Sequence, residues 1–158
     1  MNTTMKKLAL LIGVLATSGT VMAATQDLTV KAVVAPSCIF GAPATLDFGT
    51  LSISDLAAGK VDTGAAAVKI TCTLGAVPAR LYGGATRAMS NGVDSLAYEV
   101  YTDNTRLVPL ESTNSALAAI VPATGTEQTV NLYGKTAASQ GTKPSGSYSQ
   151  RLLLTVEF

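Results

Sequence analysis

The 158-residue sequence contains no histidine and no tryptophan, only two cysteines, and only 13% charged residues. Each scarcity removes a class of function. Without histidine there is neither Ser-His-Asp nor Cys-His catalysis. The usual zinc sites go with it, and two cysteines 34 positions apart do not make one. With no tryptophan and five scattered tyrosines, no stacked aromatic platform can be named. No basic cluster exists, so nucleic acid finds no surface for its phosphates. Carboxylates are sparse. Glu99 and Asp103 stand close in sequence but read as solvated strand-edge or turn residues, not as a glycosidase pair. Gly83-Gly84 lies outside any GxGxxG or GxxxxGK[ST] pattern, which removes a phosphate loop. These absences exclude an enzyme and call for no cofactor and no metal.

What is present begins with an export signal. Lys6 and Lys7 precede the apolar run LALLIGVL, residues 8–15, and Val21-Met22-Ala23 supplies a small-residue cleavage site. This predicts a signal peptide over residues 1–23, with either Met1 or Met5 as its start. The apolar run is too short to span a bilayer. Without Lys6 and Lys7 the rest of the chain has nine basic and ten acidic residues, in no blocks. Much of its surface must then be Ser, Thr, Asn, Gly and Ala, which suits a secreted or packed structural protein. In an oxidising compartment Cys38 and Cys72 are expected to form one disulfide. It closes a loop worth about 4 kcal/mol in the chain-entropy view.

The remaining 135 residues, 24–158, read as one domain built of short strands. Leu28, Val30, Ala32 and Val34 alternate with Asp27, Thr29, Lys31 and Val33, a strand leading into Pro36. Leu46 and Phe48 share a face of a short strand. Val68, Ile70 and Cys72 alternate, as do Leu96, Tyr98 and Val100, then Val130 and Leu132. Residues 51–58 read as a loop or irregular strand, 107–108 as a brief strand, 112–120 as a loop, and 134–146 as a polar loop. The last strand runs from about Tyr148 to Phe158, with Leu152, Leu154, Val156 and Phe158 on one face. Strands at ten- to twenty-residue intervals with no long helix predict an all-β chain, a β-sandwich in preference to a closed barrel.

Several segments carry a resemblance: DLTVKAVVAPSC (27–38), LDFGTL (46–51), VKITC (68–72), AYEVYTDN (97–104) and GSYSQRLLLTVEF (146–158). In this order the chain resembles the spore coat protein U domain family, and within it the major pilins of archaic chaperone–usher pili. The resemblance implies an immunoglobulin-like sandwich lacking its final strand and completed by donor-strand addition. It implies a periplasmic chaperone that lends a strand in transit, an outer-membrane usher, and neighbouring subunits of the same or related type. It implies passage through the periplasm to a fimbrium on the cell surface, serving adhesion and biofilm formation. Residues 25–32 are the expected donor segment, with Leu28, Val30, Ala32 and Val34 as alternate anchors. Leu152, Leu154, Val156 and Phe158 are expected to line the acceptor groove and to meet the chaperone. The competing reading is a secreted monomeric coat or binding module with a complete sandwich. If no donor segment is free, a terminal or self-complemented subunit is implied instead.

Overall fold

A computed structural model describes residues 22–158. The expected signal peptide falls almost wholly outside the described residues. The chain divides into two compact units, Met1–Val33 and Val34–Phe158.

In the first unit, residues 22–33 form no strand and are exposed throughout. This corrects the expectation of a strand there. The alternating pattern is present in the sequence, but no ladder partner is.

The second unit is all-β apart from one short helix. Its elements are β1 (Cys38–Phe40), α1 (Ile53–Ala58), β2 (Ala66–Cys72), β3 (Ala79–Gly83), β4 (Ala88–Ser90), β5 (Ser95–Tyr101), β6 (Ala119–Val121), β7 (Glu127–Thr136) and β8 (Leu154–Glu157). One sheet has the order β1-β2-β7-β5-β4, the other β6-β3-β8. All pairings are antiparallel.

Strand alternation builds the core. Along β2, Ala66, Val68, Ile70 and Cys72 are buried, and along β5 so are Leu96, Tyr98 and Val100. From the other sheet Ala79, Leu81 and Val121 meet them, with Phe48 and Leu110 from connecting segments. Each fully buried Leu, Ile or Val contributes roughly 1.5–3 kcal/mol. The Cys38–Cys72 disulfide joins β1 to β2, directly across their register.

Four other expectations are corrected. Residues 53–58 are helical because Ser52 and Asp55 form a capping box: Ser52 Oγ accepts from Asp55 N–H, and Asp55 Oδ2 accepts from Ser52 N–H at 2.8 Å. Gly59, at φ 78°, stops the helix after six residues. Residues 107–108 form no strand; Pro109 makes only an isolated bridge to Tyr101. The end of the 112–120 loop enters β6. Residues 134–136, assigned to a loop, continue β7.

Gly134 is the reason for that last difference. A Cβ there would lie 2.7 Å from Leu46 Cδ2 and 2.8 Å from Phe48 Cζ. The glycine marks close packing on the strand, not a turn. The β2 pairing of β7 reaches only Leu132, and beyond it residues 60–62 take over: Asp62 N–H donates to Gly134 O at 3.1 Å and Thr136 N–H to Lys60 O at 2.8 Å. The side chains of Asp62 and Arg106 add further bonds to Gly134. Asp62 Oδ1 accepts from Gly134 N–H at 3.1 Å, Arg106 Nε donates to Gly134 O at 2.9 Å, and Asp62 pairs with Arg106. The Asp62 carboxylate is 1% exposed. Breaking a buried pair strands the remaining charge. Arg106→Met is therefore expected to lower unfolding free energy by about 3 kcal/mol, read as a fall in the urea midpoint. An unchanged midpoint would remove this pair from the stability of the fold.

Candidate functional site

A sandwich with alternating strands buries its inner faces fully only where a strand lies on each side. Between residues 40–48 and residues 148–154 no strand does. The gap is a groove of about 680 Å³. Its floor is apolar: Ala66 and Val68 from β2, Leu132 from β7, Tyr98 and Val100 from β5. Phe40, Leu46 and Phe48 form one wall, and Tyr148, Leu152 and Leu154 form the other.

The first wall keeps its two-residue alternation without a ladder. Leu46 is half-buried, Asp47 exposed and Phe48 buried. This corrects the expected short strand: the side chains follow strand geometry, but the edge lacks a partner. Few main-chain bonds hold the wall, chiefly Gly41 N–H to Lys69 O and Thr63 N–H to Asp47 O, each 2.8 Å.

The second wall belongs to the C-terminal segment, whose ladder is shorter than expected. Only Leu154–Glu157 is strand. Upstream, Ser149 exchanges hydrogen bonds with Ser90 of β4 at 3.0 and 3.1 Å. Gly84 N–H then donates to Leu153 O at 2.9 Å, and the segment passes to β3. In an antiparallel ladder hydrogen-bonded and non-bonded pairs alternate. With Leu153 bonded toward β3, the main-chain groups of Leu154 and Val156 face the other way, along an edge with no partner strand among the described residues. Tyr82 secures the far end, donating its hydroxyl to Glu157 Oε2 at 3.0 Å, and this bond holds the phenol's pKa above its ordinary value.

The groove floor is also braced. Arg87, whose side chain is 8% exposed, pairs with Glu99 and donates to the carbonyls of Gly84, Val100 and Leu110. Burial lowers its pKa. Burial also raises that of Tyr98 on the floor, with Arg87 acting in the opposite direction. Phe48 and Tyr98 pack with ring centroids 5.9 Å apart.

Of the C-terminal residues singled out in the sequence, Leu152 and Leu154 line the groove. Val156 packs, half-buried, against the core. Phe158 is 53% exposed at the chain end and is not a lining residue. Leu28, Val30 and Ala32 in the first unit and Val34, the first residue of the second, are all exposed, and Leu28, Val30 and Val34 are more than 80% exposed. Sequence reasoning missed the wall at residues 40–48 as part of the site. Its signal was an alternating LDF segment among breakers, with no obvious pairing strand nearby. Among the described residues no group of three or more His, Cys, Asp or Glu could hold a metal ion.

A pocket suited to a compact ligand closes around it. This one has a largely apolar floor and is bordered by a strand edge that has no partner among the described residues, a chemistry that suits an extended segment.

Known proteins are similar to this chain in sequence or in fold. The sequence matches the model of the Spore Coat Protein U domain over residues 24–155. It is similar to a chain in the pre-assembly complex of the chaperone CsuC and the tip adhesion subunit CsuE, from the archaic chaperone–usher Csu pili of Acinetobacter baumannii. That likeness has 24% identity and a TM-score of 0.51, and covers 79% of this chain and 40% of that one. This chain thus spans less than half the length of that relative. It is also similar to a subunit of a chaperone–usher pilus whose structure addresses rod uncoiling, with 16% identity, a TM-score of 0.56, and coverage of 85% and 96%. No curated protein matches the sequence. Model match, incomplete two-sheet fold and open groove agree, and the chain belongs to the Spore Coat Protein U domain family.

Proposed function

We propose that this chain is a structural pilus subunit that polymerises by donor-strand exchange. The observation that carries the reading is the apolar groove beside the unpaired edge of β8. An open edge over exposed apolar surface templates aggregation unless something covers it. The chain carries a matching cover. Leu28, Val30, Ala32 and Val34 present one apolar face over seven residues, about 24 Å when extended. The C-terminal segment offers the receiving edge, with Leu152 and Leu154 at the groove and Leu154–Glu157 in strand. A neighbour's donor segment would add a strand there, main-chain bonds supplying affinity and alternate side chains entering the groove.

Export by the signal at residues 1–23, a periplasmic chaperone that covers the groove in transit, an outer-membrane usher, and display in a fimbrium serving adhesion and biofilm formation belong to the same reading. They are supported by the family and by the chaperone–usher systems in which its structural relatives occur. A monomeric binding module with a complete sandwich would fill its own groove, and no observation favours it.

The test is assembly of the mature chain with and without residues 24–34, followed by size-exclusion chromatography and electron microscopy. Intact protein should form linear fibres. The truncated form should stay monomeric or chaperone-bound, and should bind a peptide of residues 24–34. Stable monomers from both forms, with no peptide binding, would sink the assignment.

A further inference from the structure

The disulfide sits at a particular place in the chain. Cys38 is the first residue of β1, and Val34, the last of the donor anchors read above, lies four residues earlier. In a fibre joined by donor strands, tension on a subunit enters through that segment and leaves through whatever occupies the groove. The inference rests on the donor-strand reading and concerns where that tension goes.

Without a covalent bond, the first structure to bear the load would be β1, a three-residue edge strand. Ser37 adds non-covalent ties to Thr73: its carbonyl accepts from Thr73 N–H at 2.9 Å, and its N–H donates to Thr73 Oγ1 at 3.1 Å. Behind β1 comes the 40–48 wall of the groove, held by the two main-chain bonds described above and by Leu46 and Phe48. Bonds loaded one after another at a strand end fail in turn. Peeling β1 would therefore remove the groove wall and release the donor seated there.

The disulfide changes that path. It passes load from Cys38 to Cys72, at the end of the seven-residue β2. β2 is paired on both sides, with β1 and, over six residues, with β7. We infer that the Cys38–Cys72 disulfide is a load-bearing clamp, routing fibre tension past the groove wall into the central strands of the larger sheet.

The test is single-molecule pulling on the chain from residue 24, its groove filled by a peptide of residues 24–34. One handle is on the peptide and the other on the chain's N-terminus. With the disulfide intact, the peptide should leave without prior lengthening. After treatment of the filled subunit with a thiol reductant, residues 38–48 should first lengthen toward their full span of roughly 35 Å, and peptide lifetime at constant force should fall at least tenfold. A Cys38→Ser, Cys72→Ser double variant refolded with peptide should behave like the reduced form. A control handle at exposed position 93, in the β4–β5 turn, bypasses β1 and should show no effect of reduction.

Equal lifetimes with no lengthening in the reduced form would overturn the inference. So would an equal loss of lifetime from both attachment points, because the bond would then serve overall stability. Failure of the peptide to bind either form would instead refute the donor-strand reading, and the clamp with it.

Discussion

Val30→Asp in the N-terminal segment should abolish fibre growth while leaving the folded subunit as stable as before. Val30 is 83% exposed, so the substitution removes no packing from the subunit that carries it. On the donor-strand reading the same side chain would enter a neighbour's groove, whose floor and wall include the apolar Phe48, Leu132 and Val100. Burying an unpaired charge there costs several kcal/mol. A peptide of residues 24–34 carrying the change should bind at least about 100-fold more weakly, equivalent to about 2.8 kcal/mol. Thermal unfolding of the subunit should not move. The variant keeps a normal groove, so it should still accept a wild-type segment and bind the wild-type peptide unchanged. Normal fibres from Val30→Asp subunits would show that the donor face lies elsewhere.

Gly134→Val should act on the opposite partner, from behind the 40–48 wall of the groove. The backbone at Gly134 is ordinary strand, so valine is sterically and not conformationally excluded. Its Cβ would meet Leu46 and Phe48 below 3 Å, and β7 cannot retreat because it is paired on both sides. The 40–48 wall must give way instead. Overpacking of this kind costs about 3 kcal/mol, read as a fall in the denaturation midpoint. Peptide affinity should fall with it, because the wall is displaced. Gly64→Ala, where nothing lies within 4 Å of the added carbon, is the matched control and should stay within about 0.5 kcal/mol of wild type. A wild-type midpoint for Gly134→Val would mean that the wall does not rest on β7.

These two residues also show what could be read from the sequence. β2 and β5 were legible because both are half-buried and alternate cleanly, as in Val68-Ile70-Cys72 and Leu96-Tyr98-Val100. The pairing of Cys38 with Cys72 was legible from the export signal. Gly134 was misread because a glycine that admits a neighbour and one that makes a turn look alike in one dimension. The helix over residues 53–58 was hidden by its brevity; a single capped turn leaves little periodicity, though Ser52 and Asp55 held the signal. β6 is three residues long and exists only because β3 lies beside it. The groove was half legible. Its C-terminal wall could be named from RLLLTVEF, whereas the other wall is defined by the partner strand it lacks.

The other free edges of the two sheets bear on how such a subunit combines with others. β1, β4 and β6 have three residues each, and β4 is already bridged to Ser149. All three are shorter than the four-residue β8. On the donor-strand reading, with β8 as the receiving edge, the molecule would have a valence of two, one tongue and one slot, and a fibre would expose one unused tongue and one unused slot. A monomer with that valence adds length but cannot branch or cross-link. The number of growing ends stays fixed while mass increases, so the count of fibres is decided at initiation and not by subunit concentration.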